Sequence, residues 1–517
     1  MNPHASRRAP GAAPRQHAYI AEQANNRQEM DTKTSGETRI GYEWIALSVT
    51  TIGALMAAID ASAVIIALPT IMADLQAGFI TIMWVLLSYM LILAALVPVI
   101  GRLADMLGRK NLYNLGFVIF TFGSLLCGFS QPQYHGWDLV GYRMVQGVGG
   151  ALLITNSAVI VTDAFRRGRV GFGLGVNGIA FSAGFLLGPV VGGVLTAISW
   201  RLVFLINVPI GIIGTIWGIL QLREPVTLPR GQRFDWKGSL TFTLGLAALL
   251  IGVSLYAFPM TAVGVVYILF VVAAVSLALF VVAERRAPEP MLNLRLFENR
   301  SFAFASAANG LNGLARGAVL FVLTFFLQGP YGYDPLTAGI MLAPFGAAFL
   351  VVGPISGHLS DRYGARYLAT AGLLVSAVGL LGLCTVVSTT PYWILAVYMA
   401  LMGGGSGLFA SPNMNAIMSA VKPSERGIAS GIRSMLMNTG QMLAIAIAFP
   451  LVLSQIPEVV LFHVFLYGGG LGGTPQVLAA FELGMHEAFL VSAVFTVFAA
   501  IISFSRPSGA PRDSVAA

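Results

Sequence analysis

Long apolar runs separated by short polar segments fill the chain from residue 44 to residue 504. A helix needs about 20 apolar residues to cross a bilayer, and the pattern predicts fourteen such helices. The predicted spans are 44–69, 80–101, 112–130, 138–161, 170–195, 201–221, 238–256, 262–283, 301–328, 337–357, 367–388, 392–418, 427–454 and 487–504. Within 455–486, the segment Leu461–Phe465 is either a loop helix or a re-entrant piece.

The amino-acid composition indicates that these helices are surrounded by lipid. Hydrophobic residues make up 56% of the chain and charged residues 10%, with a mean hydropathy of +0.78. A soluble domain carries about 25% charged residues, so this chain has too few charges to cover polar surfaces. We therefore predict an all-α polytopic membrane protein. Residues 1–43 are polar with charges of both signs, which favours a disordered tail; residues 506–517 form a second tail.

The positive charges predict the orientation of the chain. If the first span starts inside and the spans alternate, all but four of the 30 Lys and Arg lie on the cytosolic side, as the positive-inside rule requires. The exceptions, Arg143, Arg201, Arg316 and Arg433, lie within spans or at their edges. Both termini are then cytosolic. The net charge of +8 reflects topology, and we expect no nucleic-acid partner.

A repeated segment predicts two related halves. Gly101–Lys110 (GRLADMLGRK) recurs 256 residues later as Gly357–Arg366 (GHLSDRYGAR). The halves are residues 44–221 and 301–505, each with six helices in the same orientation. The linker 222–300 adds two helices. Parallel repeats of this kind are known in membrane transporters.

Five motifs typical of one transporter family occur in order along the first half: Ile59–Pro69, Gly101–Lys110, Arg143–Gly150, Gly175–Gly193 and Trp200–Pro209. Through them the chain resembles the fourteen-helix drug:proton antiporters of the EmrB/QacA type, in the major facilitator superfamily, over residues 44–505. The resemblance implies a monomer in the plasma (inner) membrane. It also implies export of lipophilic, often cationic compounds in exchange for protons, by alternating access between two rocking halves. The implied partners are a small-molecule substrate, protons and membrane lipid.

Two alternatives to drug export stay open, because no residue selects a particular compound. The first is export of an endogenous metabolite, siderophore or lipid, anionic in view of Arg316. The second is a membrane sensor that transports nothing. The presence of Asp60 within a span argues against the sensor, which has no need of a titratable group in lipid.

Asp60 is the predicted proton-coupling residue, and it also belongs to the predicted substrate cavity. It lies well inside the first span, where a charge costs about 2.5–3.5 kcal/mol on insertion scales. Such a carboxylate can load a proton from one side and release it to the other. The alternative is an Asp that only packs helices and pairs with an Arg. Arg143, in the fourth span, is predicted to modulate the protonation of Asp60; its alternative role is to satisfy backbone carbonyls.

Arg316 lies opposite Asp60 in the repeat, 256 residues further along. A cation and an anion at equivalent positions can pair across a central cavity, or the cation can bind an anionic group of the substrate. Snorkelling toward the interface, or simple helix packing, is the remaining alternative. The family motifs do not require this arginine.

The two copies of the repeated segment are predicted to gate the cytosolic side. Acidic and basic groups there can cap helix ends and form ion pairs that break when the halves rock. The alternative is that these charges only set the topology. The gating residues are Gly101, Asp105, Gly108 and Arg109 in the first copy, and Gly357, Asp361, Gly364 and Arg366 in the second.

The fifth span contains the antiporter motif, comprising Gly184, Gly188, Pro189, Gly192 and Gly193. Glycines allow close helix approach, and the proline favours a kink. Tight packing here would limit proton leakage, although generic helix packing explains the same pattern.

Enzyme motifs find no support in the sequence. Gly173–Gly178 fits G-x-G-x-x-G but begins a membrane span instead of following a strand. Gly404–Gly407 resembles the serine motif of intramembrane proteases, with His463 as a conceivable base, yet the repeat already accounts for its glycines. Walker A, H-E-x-x-H and Cys/His-cluster patterns are absent. We therefore expect no enzyme activity, cofactor or metal.

Overall fold

The computed structural model describes residues 41–165, 170–224, 234–256, 263–287, 291–292, 294–422, 425–453 and 475–507. Fourteen long helices account for most of these residues, and α6, α9 and α10 are each interrupted once. The helices are α1 Tyr42–Asp74, α2 Phe79–Leu107, α3 Arg109–Gly128, α4 Trp137–Ala164, α5 Val170–Ile198, α6 Arg201–Leu205 with Asn207–Gln221, α7 Trp236–Tyr256, α8 Val263–Arg286, α9 Arg300–Arg316 with Val319–Gln328, α10 Pro335–Met341 with Ala343–Tyr363, α11 Ala365–Leu383, α12 Tyr392–Ser419, α13 Arg426–Leu453 and α14 Pro475–Ser505. Each predicted span coincides with one of them.

Thirteen helices in the described ranges are long and apolar enough to cross a membrane. The remaining helix, α13, has 28 residues, enough for a crossing. Arg426, Arg433 and Asn438 add polarity to α13, which packs against α2 and α9. The all-helical membrane fold is confirmed, whereas the count of fourteen spans stays a prediction. The helices of the linker, α7 and α8, pack on each other.

The start of the last helix differs from the prediction. The apolar pattern predicts this span at 487–504, but α14 begins at Pro475. Polar residues in its first turns hid this start, and the structure shows how they are satisfied. The Ser388 N–H donates to Glu482 at 2.6 Å, and a ring nitrogen of His486 lies 2.6 Å from the carbonyl oxygen of Val386. The segment Leu461–Phe465 lies outside the described residues.

Helix packing recurs at the spacing of the sequence repeat. A Cβ atom added to Gly123 of α3 would lie 2.6 Å from the backbone nitrogen of Gln146 in α4. A Cβ added to Gly379 of α11 would lie 2.7 Å from the backbone nitrogen of Met402 in α12. Both members of the second pair are displaced by the same 256 positions. The repeat is therefore a repeat of helix contacts as well as of sequence.

The two ends of the bundle are distinguished by their polar contacts. At one, called the Asp74 end, the Asp74 carboxylate accepts from Trp200 Nε1 and Arg201 Nη1, both at 2.8 Å. At the other, called the Arg109 end, Glu224 accepts from the backbone N–H groups of Arg109 and Lys110. The orientation rule predicts that the Arg109 end is cytosolic.

Candidate functional site

Asp60 lies within α1 as a fully enclosed carboxylate. It is the nineteenth residue of the helix, about 27 Å from the first at 1.5 Å per residue, and its exposed fraction is 0%. Arg143 Nη1 donates to Oδ2 at 2.7 Å. Gln146 Nε2 and Asn207 Nδ2 donate to Oδ1 at 2.8 and 2.9 Å. Both oxygens are thus satisfied by side chains from α4 and α6.

Arg143 is as deeply enclosed as its partner, with an exposed fraction of 1%. Its Nη1 also donates to Gln146 Oε1, and its Nε donates to the carbonyl oxygen of Val85 at 3.2 Å. The guanidinium carbon lies 4.3 Å from the centre of the Tyr89 ring. Desolvating a buried ion pair costs several kcal/mol per ion, which only good geometry and additional hydrogen bonds offset. This pair has both.

The sequence predicts that Arg143 acts on Asp60, but it does not predict the side-chain amides of Gln146 and Asn207 that complete the hydrogen-bond network. Gln146 follows Arg143 by three residues, so both point from one face of α4. Its Nε2 also donates to Ser124 Oγ at 2.7 Å, which extends the network to α3. Asn207 begins the second piece of α6. The sequence signal for Gln146 and Asn207 is that each is a polar residue within an otherwise apolar helix.

Arg316 ends the first piece of α9 and does not contact Asp60. Its guanidinium carbon lies 5.8 Å from the ring centre of Phe345 and 5.4 Å from that of Phe349, both on α10. Its Nε is closed off from solvent and has no hydrogen-bond partner among the residues that the structure describes. The pairing of Arg316 with Asp60 is therefore not formed in this structure, because Arg143 holds the carboxylate instead.

The surroundings of Arg316 connect the two repeats. The ring centre of Phe345 lies 6.5 Å from that of Phe185 on α5, with an interplanar angle of 67°. Phe185 belongs to the first half and Phe345 to the second. Arg316 thus lies beside an aromatic contact between the halves.

The first gating loop is a tight turn held by acidic side chains. Gly108 has a φ of +98°, a conformation that favours glycine. Arg109 forms an ion pair with Asp163 at the end of α4. Glu224 accepts from the backbone N–H of Arg109 at 3.2 Å. The turn therefore links the start of α3 to the ends of α4 and α6.

The second gating loop repeats the turn but not the ion pair. Gly364 has a φ of +83°. Arg366 instead places its guanidinium carbon 4.6 Å from the ring centre of Phe504 and 5.7 Å from that of Tyr367. Within the described ranges its Nε has no hydrogen-bond partner. Aromatic rings therefore surround this arginine, which corresponds to Lys110 in the repeat, whereas Arg109, which pairs with a carboxylate, corresponds to Ala365.

The remaining gating residues lie in the last turns of the preceding helices. Gly101 and Asp105 belong to α2, and Gly357 and Asp361 to α10. A Cβ added to either glycine would meet ordinary van der Waals contacts at 3.6 Å. These positions can therefore accept a small side chain without a clash.

Three glycines of the antiporter motif place α5 directly against α1 around Asp60. A Cβ added to Gly184 or Gly192 would lie 2.8 or 2.7 Å from a backbone oxygen of α1. At Gly188 it would overlap the hydroxyl of Ser62. Only residues without a side chain allow this approach, so the motif fixes the wall beside the buried carboxylate.

The other two motif positions bring the halves together toward the Asp74 end. A Cβ added to Gly193 would lie 2.6 Å from the carbonyl oxygen of Pro335 on α10, and one added to Gly339 would overlap the carbonyl of Pro189. The α5 helix therefore packs on α1 through one face and on α10 of the second half through another.

Comparison with known proteins identifies the family. The profile of the Major Facilitator Superfamily matches residues 50–293 and 305–516. Riboflavin transporter RibZ of Clostridioides difficile (strain 630) is 31% identical over 405 residues, 78% of this chain and 87% of RibZ. Multidrug resistance protein Stp of Mycobacterium tuberculosis (strain CDC 1551 / Oshkosh) is 34% identical over 406 residues, 78% of this chain and 74% of Stp.

A second drug-resistance relative and a solved structure agree with this assignment. Multidrug resistance protein 3 of Bacillus subtilis (strain 168) is 31% identical over 421 residues, 81% of this chain and 80% of that protein. A bacterial homologue of the human lysosomal transporter Spinster, crystallised in an inward-facing and unoccupied conformation, has a TM-score of 0.60 at 17% identity. The alignment covers 91% of this chain and 97% of the homologue, and it supports the fold alone.

Proposed function

Because this chain belongs to the major facilitator superfamily, we propose that it exports lipophilic small molecules in exchange for protons. In this proposal it is a fourteen-helix antiporter of the plasma (inner) membrane with both termini cytosolic, and it acts as a monomer. Membership of the superfamily makes the chain a membrane transporter, and multidrug relatives favour export. Proton coupling is our addition, and it rests on one observation.

That observation is the enclosed network around Asp60. Its carboxylate is held by donors from α4 and α6 while α5 packs tightly alongside. Protonating Asp60 would remove its attraction to Arg143 and leave a buried guanidinium without a counter-ion. Proton binding therefore favours a different arrangement of these helices. A ligand that binds one arrangement better than another shifts the equilibrium between them, which is the requirement for coupling.

Contacts between the halves suggest which side the cavity faces. Gln328 of the second half donates to the carbonyl oxygen of Ile66 in the first at 3.0 Å, and Gly193 packs against Pro335. Both contacts lie toward the Asp74 end. If the Arg109 end is cytosolic, these contacts close the outer side of the molecule, and our proposal assigns the structure to the inward-facing state. In this state the proton has left Asp60, and substrate enters from the cytosol or the inner leaflet.

The driving force is then the inward proton gradient. Moving one charge across the membrane supplies about 2.3 kcal/mol per 100 mV. Asp60 can use this energy if it is reached from the Asp74 side in the other conformation. One embedded carboxylate of this kind corresponds to one proton per cycle.

The test is transport of ethidium into proteoliposomes under an imposed pH gradient. We expect the native chain to accumulate the dye and Asp60→Asn to lose gradient dependence, because an amide cannot carry the proton. Asp74→Asn is the matched control, since it changes an acidic residue of the same helix that pairs with Arg201 at the end of the bundle. Unchanged coupling in a folded Asp60→Asn protein would move the proton site elsewhere.

Export of an anionic metabolite is the second candidate, and Arg316 favours it. Both oxygens of Asp60 are occupied by protein donors, so a cationic substrate finds no free carboxylate there in this state. Arg316, by contrast, has a nitrogen, Nε, that no described residue hydrogen-bonds. The names of the relatives do not decide the cargo, since they include a riboflavin transporter and multidrug resistance proteins.

A further inference from the structure

We propose that Arg316 binds the acidic group of an aromatic organic anion between α5, α9 and α10. This inference rests on the proposed transport function for its biological role, and it names the class of molecule carried. The binding step itself requires no proton gradient, so it can be tested separately.

The first support is an uncompensated charge. None of the nitrogens of Arg316 is hydrogen-bonded within the part of the chain that the structure describes, and its Nε is closed off from solvent. The residue is partly exposed. A guanidinium in an apolar interior is unfavourable unless acceptors or a counter-ion compensate it. An anion supplies what the surrounding protein does not.

The second support is the aromatic lining. The guanidinium carbon of Arg316 lies 5.8 Å from the ring centre of Phe345 and 5.4 Å from that of Phe349, and Phe185 extends the aromatic surface from the other half. Aromatic rings attract one another in stacked or edge-to-face arrangements. A flat aromatic molecule whose acidic group reaches Arg316 therefore matches both features of the site.

The third support is the rigid backbone beneath the arginine. A Cβ added to Gly313 would lie 2.5 Å from the carbonyl oxygen of Met437, and one added to Gly317 would lie 2.5 Å from Cα of Gln441. These close approaches lock α9 onto α13. A fixed helix presents the guanidinium in one place, which reduces the entropy lost on binding.

A second arginine makes this region more positive. Arg433 of α13 also has an Nε without a hydrogen-bond partner in the described part of the chain. Its carbonyl oxygen accepts from Asn309 at 2.9 Å, so its backbone lies about 10 Å from the level of Arg316 at 1.5 Å per residue. Two uncompensated cations on neighbouring helices raise the local concentration of anions, although Arg316 alone has the paired rings of α10.

The experiment compares two dyes that share a three-ring frame and differ in charge. Binding of 5-carboxyfluorescein (anionic) and rhodamine 123 (cationic) is measured by fluorescence polarisation in phosphatidylcholine nanodiscs without a pH gradient. We expect the anionic dye to bind, and Arg316→Gln to weaken it about 10- to 100-fold, as expected for loss of a charged hydrogen bond. Arg316→Lys retains part of the affinity because it keeps the charge but loses the planar fork.

The matched control is Arg201→Gln, which removes another guanidinium that lies over an aromatic ring, that of Trp200, at the end of the bundle. It should leave binding of the anionic dye unchanged. Equal affinity in native and Arg316→Gln protein would overturn the inference, as would preferential binding of rhodamine 123 by the native chain. Melting curves confirm that each variant is folded.

Failure of this inference is distinguishable from failure of the proposed coupling. If anion binding depends on Arg316 while Asp60→Asn remains proton-coupled, the substrate site stands and the proton site is wrong. If Asp60→Asn uncouples transport while Arg316→Gln binds normally, the proton site stands and the anion site is wrong.

Discussion

Asp60 in α1 and Arg316 in α9 occupy equivalent positions in the repeat, yet their surroundings are opposite. The carboxylate of Asp60 accepts three hydrogen bonds from Arg143, Gln146 and Asn207. The guanidinium of Arg316 lies near aromatic rings, and its Nε has no partner in the portion of the chain that the structure describes. In the first half the charged group is completely enclosed by protein donors. In the second half the charged group lacks a partner among the described residues and can bind a ligand.

The residues 256 positions after each partner explain the difference. In the first half, polar side chains surround the charge; in the second, the residues that correspond to Arg143, Gln146 and Ser124 are apolar and buried, while His463, which corresponds to Asn207, lies outside the described residues. Arg143, Gln146 and Ser124 correspond to Met399, Met402 and Leu380. The helices pack alike because the glycine contacts are kept, while among the described residues the polar network of Arg143 and Gln146 has no copy in the second half. Arg316 therefore occupies the position equivalent to Asp60 without polar counterparts of Arg143 and Gln146.

The ring beside each charge also has a counterpart. Tyr89 lies under Arg143 in the first half, and Phe345, its equivalent in the repeat, lies near Arg316 in the second. A cation beside an aromatic ring is thus common to both halves, but the carboxylate is not. Under our proposals, the first half handles the proton and the second half the substrate.

The largest expected effect is on stability, and it comes from replacing Arg143 by methionine, the residue at the equivalent position 399 of the second half. Arg143→Met leaves Asp60 enclosed without its counter-ion, and removing one partner of a buried pair costs about 3–5 kcal/mol. Thermal unfolding in detergent at neutral pH should show a large fall in stability. Adding Asp60→Asn should recover much of it, because the buried charge is then gone. Native-like unfolding of Arg143→Met would mean that the pair does not stabilise this half.

An effect of intermediate size tests whether the helix packing is equivalent in the two halves. Gly123→Ala and Gly379→Ala each push a methyl group against a backbone nitrogen, that of Gln146 or Met402. Overpacking of this kind costs about 1–3 kcal/mol, and we expect similar losses in thermal unfolding. Gly353→Ala is the control, because its added Cβ meets nothing within 4 Å.

The two alanine variants should differ in function although they agree in stability. Gly123→Ala displaces Gln146, which donates to Asp60, so proton-driven transport should weaken. Gly379→Ala displaces Met402, whose carbonyl oxygen accepts from Ser376 within the second half and which makes no hydrogen bond to the Asp60 network in the described residues, so proton coupling should be unchanged. Equal loss of coupling in both variants would indicate a general packing defect and would remove the distinction between the halves.

Much of this arrangement was accessible from the sequence, for physical reasons. Apolar runs predict membrane helices because length and hydropathy decide the crossing, and they failed at α14 where Glu482 and His486 interrupt the apolar pattern. Asp60 and Arg143 stand out because charges within membrane helices are rare. Gln146 is less visible, since an uncharged amide also occurs in simple packing.

The partner of Arg316 was beyond sequence reasoning. The repeat predicts the position of Arg316 along α9. It does not predict the direction of its long side chain, because that direction depends on the neighbouring side chains. The expected contact with Asp60 fails here because the carboxylate is already saturated by three donors. Only the packed structure shows that rings of α10 take the place of an acidic partner.

The smallest expected effect concerns the first turns of α2 and α10, which are the second helices of the two halves. α10 begins after Asp334, whose side chain accepts from the backbone N–H groups of Leu336 and Thr337. Its equivalent before α2 is Gly78, which provides no side-chain cap. Asp334→Gly makes the two helix starts alike, and replacing a capping Asp by Gly costs only a few tenths of a kcal/mol. Faster amide exchange in the first turn of α10 is the measurement.

The same cap has a pH dependence of known sign. The hydroxyl of Thr337, with the backbone N–H groups of Thr337 and Leu336, holds the pKa of Asp334 below its ordinary value of 3.8. The stabilisation is therefore fully present above pH 3.8 and is lost as the pH falls through the lowered pKa. Amide protection at the start of α10 should decrease in acid in the native chain and stay level in Asp334→Gly. An acid response shared by both proteins, or by the uncapped start of α2, would show that the capping carboxylate is not its source.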